Sequence, residues 1–237
     1  LEAALEQGVK RAVVVSSTAA IGGTRHPEIL DERFVFNLGH LPYAHSKWLG
    51  EKEALAIGKK GIEVVIVNPA TTFGPGDKHL NAGMTILNAR NGKIFGFPPG
   101  GNTFVDVEDV VDGMLAAMER GRNLERYILG NEFLSFKALL TIISRIQGKS
   151  PPKLGLPKLL LTLGGWGKEM ISRFLLHSEP YPSREAVDMS IKFMYCSSNK
   201  ARRELGYNPK VSIEDSVRRA YDWYMKTEFQ YNQLSRI

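Results

Sequence analysis

An α/β fold built on parallel strands is what this sequence predicts, on three observations. Apolar runs bounded by turn residues alternate with helical patterns along the chain. The run Ala12-Val13-Val14-Val15 carries β-branched side chains on consecutive positions, as expected of a parallel strand buried on both faces. A second run of the same character, Ile62-Glu63-Val64-Val65-Ile66-Val67, follows a helical stretch that Gly61 breaks.

Each element can be justified in order. Leu1-Glu2-Ala3-Ala4-Leu5-Glu6-Gln7-Gly8 has the pattern of a helix end stopped by glycine, so the chain is expected to be cut from a longer one. A loop rich in Gly, Pro and His runs from Gly22 to Leu41, and a helix is expected from about Tyr43 to Lys59. Trp48, Leu49, Ala54, Leu55 and Ile57 are available for its buried side. Asn68-Pro69-Ala70-Thr71-Thr72-Phe73-Gly74-Pro75-Gly76 is a long turn at the carboxyl end of the second strand, where open α/β sheets hold ligands.

Beyond that turn, a helix from about Ala82 stops at Gly92, and Thr103 to Asp106 forms a short strand. Asp106 then caps a helix from about Glu108 to Glu119. Arg126 to Gly130 is a core strand, and Ser135 caps a helix whose apolar positions end at Gly148. From Pro151 the texture turns Pro-rich and helical, which divides the chain into residues 1–150 and a small lobe, 151–237. A strand near Phe193 to Cys196 rejoins the sheet, and a helix from about Ile213 to Lys226 closes the pattern.

Composition narrows the function. The net charge of +6 is modest, and no basic run is interleaved with aromatics, so nucleic acid is not expected as a partner. One cysteine, Cys196, rules out an internal disulfide framework and fits a reducing, cytoplasmic setting. It reads as a small buried residue rather than a nucleophile. The longest apolar stretch, Leu154 to Trp166, is too short for a bilayer and suits a helix covering a pocket. Docking on a membrane through Leu154 to Leu176 is the minor alternative. His26, His40, His45, His79 and His177 show no metal-ligand spacing, so no metal is expected.

The chemistry concentrates at Tyr43 and Lys47. Residues four apart share a helix face, so Lys47 can hold a positive charge beside the Tyr43 hydroxyl. That charge favours the phenolate over the unperturbed pKa of about 10. A phenol so tuned can move a proton to or from a carbinol oxygen.

These residues resemble the extended short-chain dehydrogenase/reductase family, the NAD-dependent epimerase/dehydratase group, with its dihydroflavonol-reductase-like branch most similar. Val14-Val15-Ser16-Ser17-Thr18-Ala19-Ala20 is similar to the family's strand bearing the catalytic Ser or Thr, and Tyr43 follows Thr18 by 25 positions. Val67-Asn68-Pro69-Ala70 with Gly74-Pro75-Gly76-Asp77, and Phe104 to Val110, match two further segments. Arg126 to Glu132 and Leu205-Gly206-Tyr207 also look typical.

The resemblance implies a partial Rossmann-type doubly wound parallel sheet with a small, mostly helical C-terminal substrate lobe. It implies Thr18, Tyr43 and Lys47 as catalytic residues, and NAD or NADP as cofactor. Tyr43, Lys47, Pro69, Ala70 and Thr71 would meet that cofactor, and Ser17 and Asn68 the substrate. A small-molecule substrate, a cytoplasmic setting and a homodimer follow from the same likeness. One feature departs from the pattern: no Gly-x-x-Gly-x-x-Gly turn between a strand and a helix is present to hold the pyrophosphate. The expectation is therefore the carboxyl-terminal two thirds of an oxidoreductase or epimerase acting at a secondary alcohol or ketone. A non-catalytic module that kept the fold but lost the cofactor site is the competing reading. Substrate class stays open between sugar nucleotides, for Lys153, Lys158, Lys168, Arg173 and Arg184, and apolar sterol- or flavonoid-like molecules, for Leu159, Leu160, Leu161, Trp166, Phe174 and Leu175.

Overall fold

A computed structural model describes residues 1–161 and 184–226. The elements are α1 (Glu2–Glu6), β1 (Arg11–Val15), β2 (Ile29–Leu30), α2 (Pro42–Gly58), β3 (Glu63–Pro69), β4 (Thr71–Phe73), α3 (Gly83–Arg90), β5 (Gly96–Phe97) and β6 (Gly101–Asp106). There follow α4 (Val107–Arg120), β7 (Arg126–Leu129), β8 (Glu132–Ser135), α5 (Phe136–Ile146), β9 (Leu154–Gly155), α6 (Arg184–Ser190), β10 (Phe193–Cys196), α7 (Asn199–Leu205) and α8 (Ile213–Lys226).

The first sheet is all parallel, in the order β1-β3-β7. Its centre, β3, explains why a parallel strand reads as an unbroken apolar run. Val64 and Ile66 face α2, where they pack with Ala54 and Ile62. Val65 and Val67 face the opposite way, onto Ala116 and Ala117 of α4 and onto Leu205. Alternate side chains therefore meet helices on both faces, and all four are fully buried.

β1 is less covered than its β-branched run implied. Its side chains are only partly covered, and Val15 is 46% exposed. The reason is position: β1 pairs with β3 on one side and, among the described residues, is the edge of the sheet on the other.

α2 buries Ala54 and packs Leu55 and Ile57 against the core as expected, with Leu49 the exception. Ala44, Glu51, Ala54 and Gly58 are buried, whereas Leu49 is exposed. Small residues let the helix lie close to the sheet: a side chain at Gly58 would meet Leu124 at 2.7 Å and Val64 at 3.1 Å. Trp48 is half-buried and stacks on Phe36, ring centroids 5.1 Å apart.

The second sheet runs β2-β10-β6-β4, all parallel, with β8 antiparallel on β6. Its strands come from points along the chain between Ile29 and Cys196, so the segment after residue 184 is stitched into it by β10. Asp106 caps α4 by accepting from Glu108 N–H, and Ser135 caps α5 by accepting from Ala138 N–H, both as the sequence implied. Leu205-Gly206-Tyr207 acquires a physical reason: Gly206 ends α7 in the left-handed conformation at φ 68°, which lets Tyr207 turn back into the core around β7.

Of the apolar stretch beginning at Leu154, the residues through Leu161 are described, and Leu154, Leu159 and Leu160 are exposed. Trp166, Lys168, Arg173, Phe174 and Leu175 lie outside the described residues. Among the described residues, no helix is long and apolar enough to cross a membrane.

Cys196 is fully buried, and that burial pushes its thiol up from 9.0 to about 12. Burial likewise raises the phenols of Tyr207 and Tyr224 above 10.0. All three groups are held protonated by the fold, so their contribution is complete below the ordinary thiol value and shrinks as pH rises past it. Urea midpoints should accordingly fall between about pH 8 and about pH 10.5, as the unfolded chain ionises and the native one does not. A midpoint that holds or rises over that interval would contradict the burial of these groups.

Candidate active site

The carboxyl end of β1 runs into the Ser-Ser-Thr turn. Ser16 N–H donates to Val67 O at 2.8 Å and carries the ladder one residue past the strand. Ser17 is extended, and its Oγ accepts from Ala19 N–H at 3.1 Å, which starts a single 3₁₀ turn, Thr18–Ala20. Thr18 is only 3% exposed, and its hydroxyl has no hydrogen-bond partner among the described residues.

Tyr43 stands in the first turn of α2, 47% exposed. Lys47 lies one turn on, its Nζ 5.8 Å from the Tyr43 ring centroid. Ala44 between them is fully buried in one apolar cluster with Ala19, Leu38, Leu41 and Met194. That cluster packs the 3₁₀ turn against the start of α2, so Thr18 and Tyr43 occupy adjoining elements although 25 positions separate them.

A buried polar network, which the sequence did not reveal, locks the same two elements together. Asn68, at the end of β3, has no exposed surface; its Nδ2 donates to Ser17 O at 2.9 Å and to Glu51 Oε1 at 2.5 Å. Glu51 projects from α2 and is 4% exposed; Arg126 of β7 donates to its Oε2 at 3.2 Å. Arg126 also donates from Nε to Glu32 O at 3.0 Å, while the Glu32 carboxylate accepts from Ile128 N–H at 3.0 Å. Burial raises the Glu32 carboxyl above its ordinary range, with the Ile128 bond opposing it. The signal for Glu51 was available: it sits four residues after Lys47, on the face that carries Tyr43 and Lys47. Nothing local, however, identifies its partners.

The third expected segment adjoins the first two. Ala70 N–H donates to Leu129 O at 2.9 Å, which fixes the turn after β3. The Thr71 hydroxyl accepts from Asn102 Nδ2 at 2.9 Å and is thus engaged within the second sheet. Asn68, expected to meet substrate, is instead enclosed by protein, its amide committed to the Ser17 turn and α2.

These residues fit the nicotinamide end of a dinucleotide. Ser16 Oγ is buried without a partner beside the carboxyl ends of β1 and β3, where open α/β sheets bind ligands. Asp106 and Asp109 serve elsewhere: Asp109 accepts from Lys210 and Val211 N–H at 2.9 and 3.1 Å.

Replacing Glu51 with Ala should destabilise the protein by roughly 1–3 kcal/mol, since it takes an acceptor from buried Asn68 and from partly buried Arg126. Glu51→Gln, which keeps the acceptor for Asn68, should lose less. Urea unfolding of both variants checks this, and an Ala loss below about 1 kcal/mol would show the network to be dispensable.

Known proteins resemble this chain over most of its length. Residues 1–130 match the NAD dependent epimerase/dehydratase family. The chain is 35% identical over 240 residues to a putative dihydroflavonol 4-reductase of Synechocystis sp., covering 96% of this chain and 69% of that one. It is 29% identical over 224 residues to sterol demethylase protein B of Methylococcus capsulatus, covering 92% and 68%. The solved structure of a nucleoside-diphosphate-sugar epimerase from Pseudomonas aeruginosa superposes with a TM-score of 0.78 at 26% identity, covering 96% and 70%. The chain therefore spans 68 to 70% of the length of these three proteins. The match over residues 1–130, more than half of the chain, and the 35% identity to the Synechocystis protein show that this chain belongs to the NAD-dependent epimerase/dehydratase family of extended short-chain dehydrogenase/reductases.

Proposed function

We propose that Thr18, Tyr43 and Lys47 form the proton-transfer site of an NAD- or NADP-dependent oxidoreductase or epimerase that acts at a secondary alcohol or ketone. The observation that carries this reading is a division of labour among the polar groups. Ser17, Asn68 and Thr71 are engaged with protein partners. By contrast, the Thr18 and Tyr43 hydroxyls have no hydrogen-bond partner among the described residues.

In the proposed mechanism Tyr43 holds or takes the proton at the substrate oxygen. Thr18 donates a hydrogen bond to that oxygen and steadies the charge that develops on it. Lys47 holds a positive charge against the Tyr43 ring and would help to hold the cofactor. Pro69, Ala70 and Thr71 would hold the nicotinamide end through backbone groups, and Ser17 can still donate its hydroxyl proton to substrate. Bound NAD(P) supplies the hydride acceptor or donor. Asn68 acts through Ser17, by fixing the turn that carries Thr18.

The pyrophosphate site belongs, on this reading, to further chain that pairs with the free edge of β1. Val15, together with Val111, Leu115 and Met118 of α4, leaves an exposed apolar surface that such a segment would cover. Of the two substrate classes, the apolar one is favoured: Leu159 and Leu160 are exposed in the lobe, and two of the relatives above are named for sterol and flavonoid chemistry. A cytoplasmic setting and a homodimer remain part of the proposal.

In the enzyme carrying its complete dinucleotide-binding half, Tyr43→Phe should lower kcat by at least about 100-fold and leave cofactor affinity intact. Stopped-assay kinetics and titration with NADH and NADPH, read by tryptophan fluorescence, measure the two. Normal turnover in the variant removes Tyr43 from the mechanism. Absence of saturable binding of either nucleotide moves the non-catalytic module ahead.

A further inference from the structure

The first turn of α2 lacks the cap its own sequence ought to supply. Pro42, in the first helical position, has no N–H, and Leu41 before it offers no side-chain acceptor. The N–H groups of Tyr43 and Ala44 are consequently left without intrahelical partners. A single carboxylate oxygen from another part of the chain receives both: Glu185 Oε1 accepts from Tyr43 N–H at 2.8 Å and from Ala44 N–H at 3.3 Å. An anion in that place also complements the positive end of the helix dipole.

Glu185 belongs to α6, in the lobe that follows residue 184, and α6 is itself anchored. Val187 is buried, and Asp188 pairs with His40 at 2.8 Å and with Lys192 at 3.6 Å. Gly100 N–H donates to Ser190 O at 3.1 Å, which ties the end of α6 to the start of β6. At Gly100 there is room for no side chain, since a Cβ would collide with the carbonyls of Ser190 and Lys192. The place of Glu185 is thus dictated by the second sheet, whereas the helix it caps is packed on the first.

We propose that Glu185 is a positioning residue of the reaction: it fixes the backbone of Tyr43 and so couples the C-terminal lobe to the proton-transfer group. The proposal rests on the reading of Tyr43 given above. A cap supplied from the neighbouring lobe makes the placement of the phenol depend on how that lobe is seated. A Ser or Asp at position 41 would have made the first turn self-sufficient. Because reacting groups must be held to within a fraction of an ångström, loosening this turn acts on kcat more than on cofactor binding.

The test uses Glu185→Ala and Glu185→Gln in the enzyme with its complete dinucleotide-binding half, alongside Tyr43→Phe. Three quantities are read: kcat, KM for cofactor, and hydrogen exchange of the backbone amides of Tyr43 and Ala44. Glu185→Ala should lower kcat by about 10- to 100-fold, leave the cofactor KM within about twofold, and speed exchange at the two amides by about tenfold. Glu185→Gln keeps an oxygen that can accept both bonds and should recover most of the lost kcat and protection. Should Glu185→Ala fail to fold, the Gln variant and Glu185→Asp, whose shorter arm cannot reach both amides, decide by the same readouts.

Three results overturn the proposal. One is an unchanged kcat in Glu185→Ala while Tyr43→Phe is inactive. Another is equal loss of kcat in the Ala and Gln variants with amide protection intact, which would make Glu185 a group that meets substrate. The third is full turnover by Tyr43→Phe, which defeats the underlying reading of Tyr43 and is recognised by that variant alone.

Discussion

The parallel register of β1 on β3 is the constraint from which the site hangs. Five successive pairs, from Arg11 opposite Glu63 to Val15 opposite Val67, fix where the two strands end relative to each other. Those ends place Ser16-Ser17-Thr18 alongside Asn68-Pro69-Ala70. A slip of one residue would turn Val64 and Ile66 away from α2 and toward α4, so the alternation of buried faces enforces the register. The geometry of the turn is therefore secured by ordinary apolar packing one layer below it.

Packing cannot by itself set how far α2 slides along the sheet. The contacts of Ala54 and Gly58 with β3 are non-directional, and small residues tolerate displacement. Directional groups supply what is missing. Asn68 reaches the Ser17 carbonyl with one amide hydrogen and Glu51 with the other, so strand end, turn and helix share one hub. A buried ion pair such as Glu51 with Arg126 is weak evidence for net stability, because desolvation opposes the Coulomb attraction. Its physical merit here is definition: the bonds are satisfied in one arrangement of α2 and lost in its neighbours.

A second tie comes from across the chain. β10 inserts between β2 and β6, which brings α6 to the start of α2. The helix bearing Tyr43 is held along its length by the first sheet and at its tip by an element seated on the second. The chain thus connects its two sheets at the residue the chemistry would use, and no apolar contact between the sheets would have the same directional effect.

Much of this was legible in the residues themselves. Strands β3 and β7, the caps at Asp106 and Ser135, and the closing helix follow from local pattern, because capping and hydrophobic periodicity act over a few positions. The nearness of Tyr43 to Lys47 was readable from spacing, since one helical turn is a property of the chain, whereas Thr18 was singled out by resemblance and its catalytic part stays a proposal. The partial cover of β1 accords with the partial sheet that was expected, although a β-branched run by itself reports what a strand prefers and not whether a neighbour lies beyond its edge. On α2 the packing of Ala54, Leu55 and Ile57 was legible, while close approach to the sheet added Ala44, Gly58 and the paired Glu51. Glu51 meets Asn68 across 17 positions, Arg126 meets Glu51 across 75, and Glu185 meets Tyr43 across 142. The sequence by itself determined which residues stand one helical turn or one turn-to-helix interval apart, through short-range order. Only the tertiary structure decided which groups hold them, because a hydrogen bond is selected by distance in space and is indifferent to separation along the chain.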